Sequence, residues 1–223
     1  MATLSEIIYN VKNLRAKGRQ SDDTEISDRQ YAFIVNYYRA LLLKREADRN
    51  KFIDNVTQSM GDVALKKADK NESCDINDCI YRTVNKIPKA VLTNSGSLIK
   101  YVGLTNLSKP FQKTTVERVI WDLQSPLTKH LPKWYELNDY IYIVNPPTDS
   151  LEIITVHGVF EDPIAVNSLK SCGTEDCFQG YNFEYPISVT FLDSIYKMMA
   201  DAEFKINGMF PKDTTNDTTE EKM

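Results

Sequence analysis

The stretch WYELNDYIYIVNPPTDSLEIITVHGVF, Trp134–Phe160, decides the fold class. Trp134–Leu137 and Tyr140–Val144 are short runs rich in aromatic and β-branched residues, which suit half-buried pleated surfaces. Only Asn138 and Asp139 separate them, and both tolerate positive φ, so the pair reads as a hairpin. Pro146, Pro147, Thr148 and Asp149 make a second turn ahead of Leu151–Phe160. Three strands joined this closely predict an antiparallel meander.

Upstream of this core, Asp62–Leu65, Cys79–Val84 and Leu98–Leu104 are further β-like runs. Thr114 and Glu117 are spaced to cap a short amphipathic helix carrying Val116, Val119, Ile120 and Leu123. The first 60 or so residues repeat at helical spacing instead. Thr3 and Glu6 form a capping box ahead of Leu4, Ile7, Ile8, Val11 and Leu14, and Gly18 is placed to end that helix before a polar loop, Arg19–Glu25. Ser27 and Gln30 form a second box, with Ile26 able to staple onto Tyr31. A helix from Asp28 to about Arg49 follows, roughly 30 Å long at 1.5 Å per residue.

Downstream, Asp162-Pro163 is a helix start. Pro186 opens a final helix in which Val189, Leu192, Ile195, Tyr196 and Met199 recur at helical spacing, with Gly208 and Pro211 at its end. The expected organisation has four parts: a helical region over 1–61, a β-rich region with a short helix over 62–185, a C-terminal helix over 186–210, and a polar tail over 211–223 that is mobile or ordered by a partner. The fold class is α+β, with helices from both ends forming one layer on a central antiparallel sheet.

Composition narrows the function classes. A formal charge of −4 argues against general nucleic-acid binding, which needs a clustered basic surface. No apolar run approaches the roughly 18–20 residues that cross a bilayer. The N-terminus, MATLSEIIYN, lacks a basic region followed by an apolar one, so cytoplasmic synthesis is expected, with no membrane partner. Phosphate-binding glycine loops and a nucleophile elbow are absent, and His130 and His157 sit in no catalytic or metal-binding pattern. No catalytic residue and no cofactor is expected.

One constellation stays open. Cys74 and Cys79 share their spacing with Cys172 and Cys177, and four thiolates could hold a tetrahedral zinc ion. Unlinked thiols and disulfides are the other two states, the latter disfavoured in a reducing cytoplasm. Organised by such a zinc, the chain would be a cytoplasmic protein-binding module, the alternative to a structural subunit.

The helix after Ser27 carries the interaction reading. Tyr31, Ile34, Tyr38 and Leu41 define one face, while Phe33, Val35 and Tyr37 add apolar surface elsewhere. A helix apolar around so much of its circumference must be covered on several sides, by its own fold or by neighbouring subunits. Tyr31, Ile34, Tyr37, Tyr38 and Leu41, with Phe204 and Phe210 near the C-terminus, are the candidate interface residues.

Several segments, in order, resemble a family of virion proteins from short-tailed, crAss-like bacteriophages. They are LSEIIYNVKNL, ISDRQYAFIVNYYRALLLKREADRN, GDVAL, IYRTVNKIPKAV, YVGLTNLSKPF, YIYIVNPPTDSLEIITVHGVFEDP and PKDTTND. Proteins of this family form rings as head-to-tail connectors, or adaptors. The resemblance implies a subunit of a cyclic homo-oligomer, a dodecamer, in the virion neck. Its partners would be the portal protein and other tail or neck rings, and viral DNA would pass through the lumen.

Overall fold

A computed structural model describes residues 2–15, 26–49, 56–68, 80–148, 150–169 and 180–207. Helices α1 (Leu4–Arg15) and α2 (Asp28–Asp48) come first, then strands β1 (Gln58–Lys67), β2 (Ile80–Thr83), β3 (Leu92–Thr93), β4 (Gly96–Ser97), β5 (Ile99–Gly103) and β6 (Gln112–Lys113). Helix α3 (Val116–Gln124), strands β7 (Lys133–Leu137), β8 (Tyr140–Val144) and β9 (Ile153–Gly158), and helices α4 (Pro163–Leu169) and α5 (Val189–Asn207) complete the described elements. The mixture of helices and one large sheet agrees with the α+β expectation.

The sheet is not a simple meander. Its order is β5-β9-β1-β2-β8-β7-β6, so β1 and β2 separate β8 from β9. The β7–β8 hairpin forms as expected, with φ of 53° at Asn138 and 65° at Asp139 matching the twist of the strands it joins. Beyond Pro146 and Pro147 the chain instead crosses to pair β9 with β1 on one side and β5 on the other. Proline at that bend donates no ladder hydrogen bond, and β2 already occupies the free edge of β8. Among the described residues, only β6 and β7 pair in parallel.

The two ends of the ladder meet, making a nearly closed barrel. The Phe111 amide donates to the Val102 carbonyl at 2.8 Å, and Gly103 bridges to Pro110. A Cβ at Gly103 would lie 2.4 Å from the Lys109 carbonyl oxygen and 2.5 Å from the Tyr101 hydroxyl, so only glycine permits this approach. On the far side, β1 carries a bulge between Ser59 and Asp62, where Gly61 takes φ +70°. Such a bulge bends a strand enough to curve the sheet.

Alternation then sorts the side chains. Ile141 and Ile143 of β8, Trp134 of β7, and Ile154 and Val156 of β9 fill the interior with Met60, Phe111 and Phe160. Tyr142 and Val144 point outward, with Tyr135 and Ile80, onto Val119 of α3. The Tyr135 and Tyr142 rings stack at 5.1 Å, and burial pushes the Tyr135 hydroxyl up to about 12.

Helices α1, α2 and α5 form a second core around Leu4, Ile7, Tyr31, Val35, Tyr185 and Ile195. Both capping boxes form: the Thr3 amide donates to Glu6 Oε2 at 2.9 Å, and the Ser27 amide to Gln30 Oε1 at 2.9 Å. This layer joins the barrel through Leu43, Val56, Val91 and Val159. It therefore lies where β9 finishes and β1 begins, whereas α3 packs on the outer face of β2, β7 and β8.

Two helix starts differ from expectation. Helix α5 begins at Val189, not Pro186, because Ser188 supplies the first accepting carbonyl and the Pro186 carbonyl is taken by Arg39. Thr115, not Thr114, precedes α3, and it makes no side-chain cap. Thr114 Oγ1 instead donates to Asp122 Oδ2 at 2.8 Å, since Asp122 is anchored by Lys133 Nζ at 2.9 Å. Gly18, Arg19–Glu25, Gly208, Pro211 and the polar tail lie outside the described residues.

Candidate assembly surface

The Ser27 cap sets the rotational phase of α2. Tyr31, Ala32, Val35, Tyr38, Arg39 and Leu43 fall on the buried side. Phe33 and Tyr37, four apart on the opposite side, remain 72% and 57% exposed. Leu92, on the small β3–β4 hairpin, is 61% exposed beside them. Together with Ala40, Leu41 and Val91 they line an open groove of about 590 Å³, rimmed by Lys44, Glu161 and Asp162.

The floor of the groove is tied together by hydrogen bonds. Asn36 Nδ2 donates to Asp162 Oδ1 at 3.1 Å, the same oxygen that accepts from the Ile164 amide at the start of α4. Tyr185 Oη donates to Asn36 Oδ1 at 2.6 Å, and burial raises the Tyr185 hydroxyl far above its ordinary value. Beneath lies Arg39, wholly buried, with Nε donating to the Pro186 carbonyl at 3.0 Å and Nη1 to the Phe160 carbonyl at 2.7 Å. One guanidinium thus ties α2 to the end of the barrel and to the segment leading into α5.

The candidate interface residues divide accordingly. Tyr31 and Tyr38 are buried within the subunit, Tyr31 also accepting from Arg15 Nη1 at 3.1 Å. Ile34 and Leu41 are half-buried, and Tyr37 faces the groove. The Phe204 side chain and all of Phe210 lie outside the described residues, as do Cys74, Cys79, Cys172 and Cys177. Among the described residues, no three His, Cys, Asp or Glu side chains converge on a metal-sized site. His157 stands on the outer face of β9 against Tyr101, ring centroids 5.4 Å apart, and His130 is exposed.

A second apolar surface, on α3, has no counterpart among the candidates. Val119 packs inward, yet Val116 and Ile120, expected on the same face, are 41% and 53% exposed. Trp121 is 74% exposed, and Leu127 in the following turn 88%. The signal was present in the sequence: a tryptophan standing off the Val116, Val119, Ile120, Leu123 repeat has no place in that helix's own packing.

Both features are exposed apolar surfaces. A family model for phage tail ring protein 2, of the crAss type, matches residues 6–222. The chain belongs to that family. A comparison with curated protein sequences finds no match. As a phage tail ring protein it is a structural component of a virion tail, and it works as a part of an oligomeric assembly. Among the described residues, no helix of this tail ring protein is long and apolar enough to cross a membrane.

Proposed function

We propose that this tail ring protein is a non-catalytic subunit of the neck, forming a cyclic ring of twelve copies between portal and tail and extending the channel through which DNA leaves the capsid. The observation that carries the reading is the family match over almost the whole chain. The exposed apolar side of α2 supports it, because large aromatic residues left open on a monomer mark protein contacts. The acidic balance of −4 suits a lumen that must not hold passing DNA, since firm phosphate contacts would impede it.

Imaging the native virion neck by electron cryo-microscopy, alongside mixing of purified chain with portal protein, tests this placement. A ring of this chain coaxial with the portal is the expected result. A chain found only in distal tail rings, or one that never co-assembles with portal, would overturn the neck placement.

A further inference from the structure

A closed ring of more than two copies needs two different patches per subunit, each complementary to the other, because every copy makes the same head-to-tail contact. Two exposed apolar surfaces of different shape are present. One is concave, the groove between α2 and the β3–β4 hairpin. The other is convex, the α3 ridge of Ile120, Trp121 and Leu127. They rest on different elements, the groove on α2, β3 and the segment after β9, the ridge on α3 against the outer face of β2, β7 and β8, so they share no residue.

Their charged rims are also complementary. The groove carries Glu161 and Asp162 against a single Lys44. On the ridge, Lys133 at 2.9 Å and Arg118 at 3.6 Å share the one carboxylate of Asp122, and with Lys129 exposed against Glu117 the rim is left net positive. Opposed rims of this kind fix register and exclude self-pairing of either patch, since groove-to-groove contact would set carboxylates against carboxylates.

We propose that the α3 ridge of one copy docks into the α2 groove of the next, with Trp121 as the knob and Phe33, Tyr37 and Leu92 as its walls. This rests on the ring-forming reading above. The buried aromatic anchor with a polar rim is the usual layout of an interface hot spot.

The test uses the full chain, with sedimentation and negative-stain imaging as readouts. Trp121→Glu removes the knob, and Tyr37→Glu closes the groove with a like charge. Both positions are exposed, so circular dichroism melts taken below the assembling concentration should match the wild type. If Trp121→Glu fails to fold, Trp121→Ser takes its place. The wild type should form rings, and each variant alone should stay monomeric at concentrations at least tenfold above those that assemble the wild type. An equimolar mixture should give one-to-one dimers, because one intact groove and one intact knob remain between the two variants.

Wild-type rings with both variants still forming rings would overturn the docking assignment while leaving the ring reading intact. Variants that stay monomeric even when mixed would overturn the pairing of these two patches with each other. A wild type that stays monomeric at every concentration, with and without portal protein, would overturn the ring reading itself.

Discussion

In an Arg39→Met variant the aliphatic stem and sulfur refill most of the buried volume beside Tyr185, while the carbonyls of Phe160 and Pro186 lose their donors. Leaving a buried acceptor unpaired costs about 1–3 kcal/mol. Two such groups set the upper part of the expected loss. Some of it is returned, because Arg39 is itself costly to bury: its Nη2 has no hydrogen-bond partner, and desolvation lowers the guanidinium from its ordinary value despite the nearby Tyr185 hydroxyl and Asp162 carboxylate. Replacing a buried ion by an apolar residue of similar size relieves that strain. The balance is a loss of about 3 kcal/mol for Arg39→Met. Arg39→Ala adds an unfilled cavity and should lose about 2 kcal/mol more. For a chain of this size, 3 kcal/mol corresponds to roughly 6–12 °C in Tm.

Urea unfolding followed by circular dichroism would measure both variants, at concentrations low enough that assembly does not stabilise the wild type. The order wild type, Met, Ala is the expected result. An Arg39→Met variant as stable as the wild type would refute the reasoning, since desolvation of the charge would then outweigh both carbonyl bonds.

Other consequences are open to the same assays. At Asp122, burial opposes ionisation, but the hydrogen bonds from Lys133 and Thr114 and the charges of Lys133 and Arg118 outweigh it, so the carboxyl lies below its ordinary value. Its stabilising contribution is therefore present above the unfolded-state pKa and lost as pH falls through the lower folded value. Acid titration of stability should show that loss in the wild type and a flatter profile in Asp122→Asn, which also strands the buried Lys133 and should be about 3 kcal/mol less stable at neutral pH. Gly103→Ala should destabilise by about 2 kcal/mol through overpacking and speed hydrogen exchange at the Phe111 amide, whereas Gly61→Ala, with open space around it, should lose only the roughly 1 kcal/mol of a left-handed backbone. Ser27→Ala should lose about 1 kcal/mol, read as a lower urea midpoint, with the cap of α2 gone. Tyr31→Ala should cost about 4 kcal/mol in the same unfolding experiment, while Tyr37→Ser, exposed on the other side of the helix, should change it by less than about 0.5 kcal/mol.

Features set by a few neighbouring residues were legible in the sequence by itself. Asn138-Asp139 dictates a hairpin because two successive positive-φ residues close a two-residue turn. Thr3 with Glu6, and Ser27 with Gln30, mark helix starts because each pair satisfies backbone amides three residues apart. The apolar repeats of α1, α2 and α5 follow from the 3.6-residue period in the same way.

Whatever depends on distant partners was decided only by the tertiary structure. Strand β9 is as close to β8 in sequence as a meander requires, yet it pairs with β1 and β5, because the edge of β8 is filled by β2 from far upstream. Both Tyr31 and Tyr37 read as candidate interface residues, and only the packing of α1 and α5 against one side of α2 buries the first and leaves the second exposed. Arg39 passes in the sequence for an ordinary surface charge, and the two carbonyls that hold it are more than a hundred residues away. Backbone dihedrals and caps are short-range and written locally. Burial and strand pairing depend on which surfaces of the folded chain meet, and no local pattern carries that information.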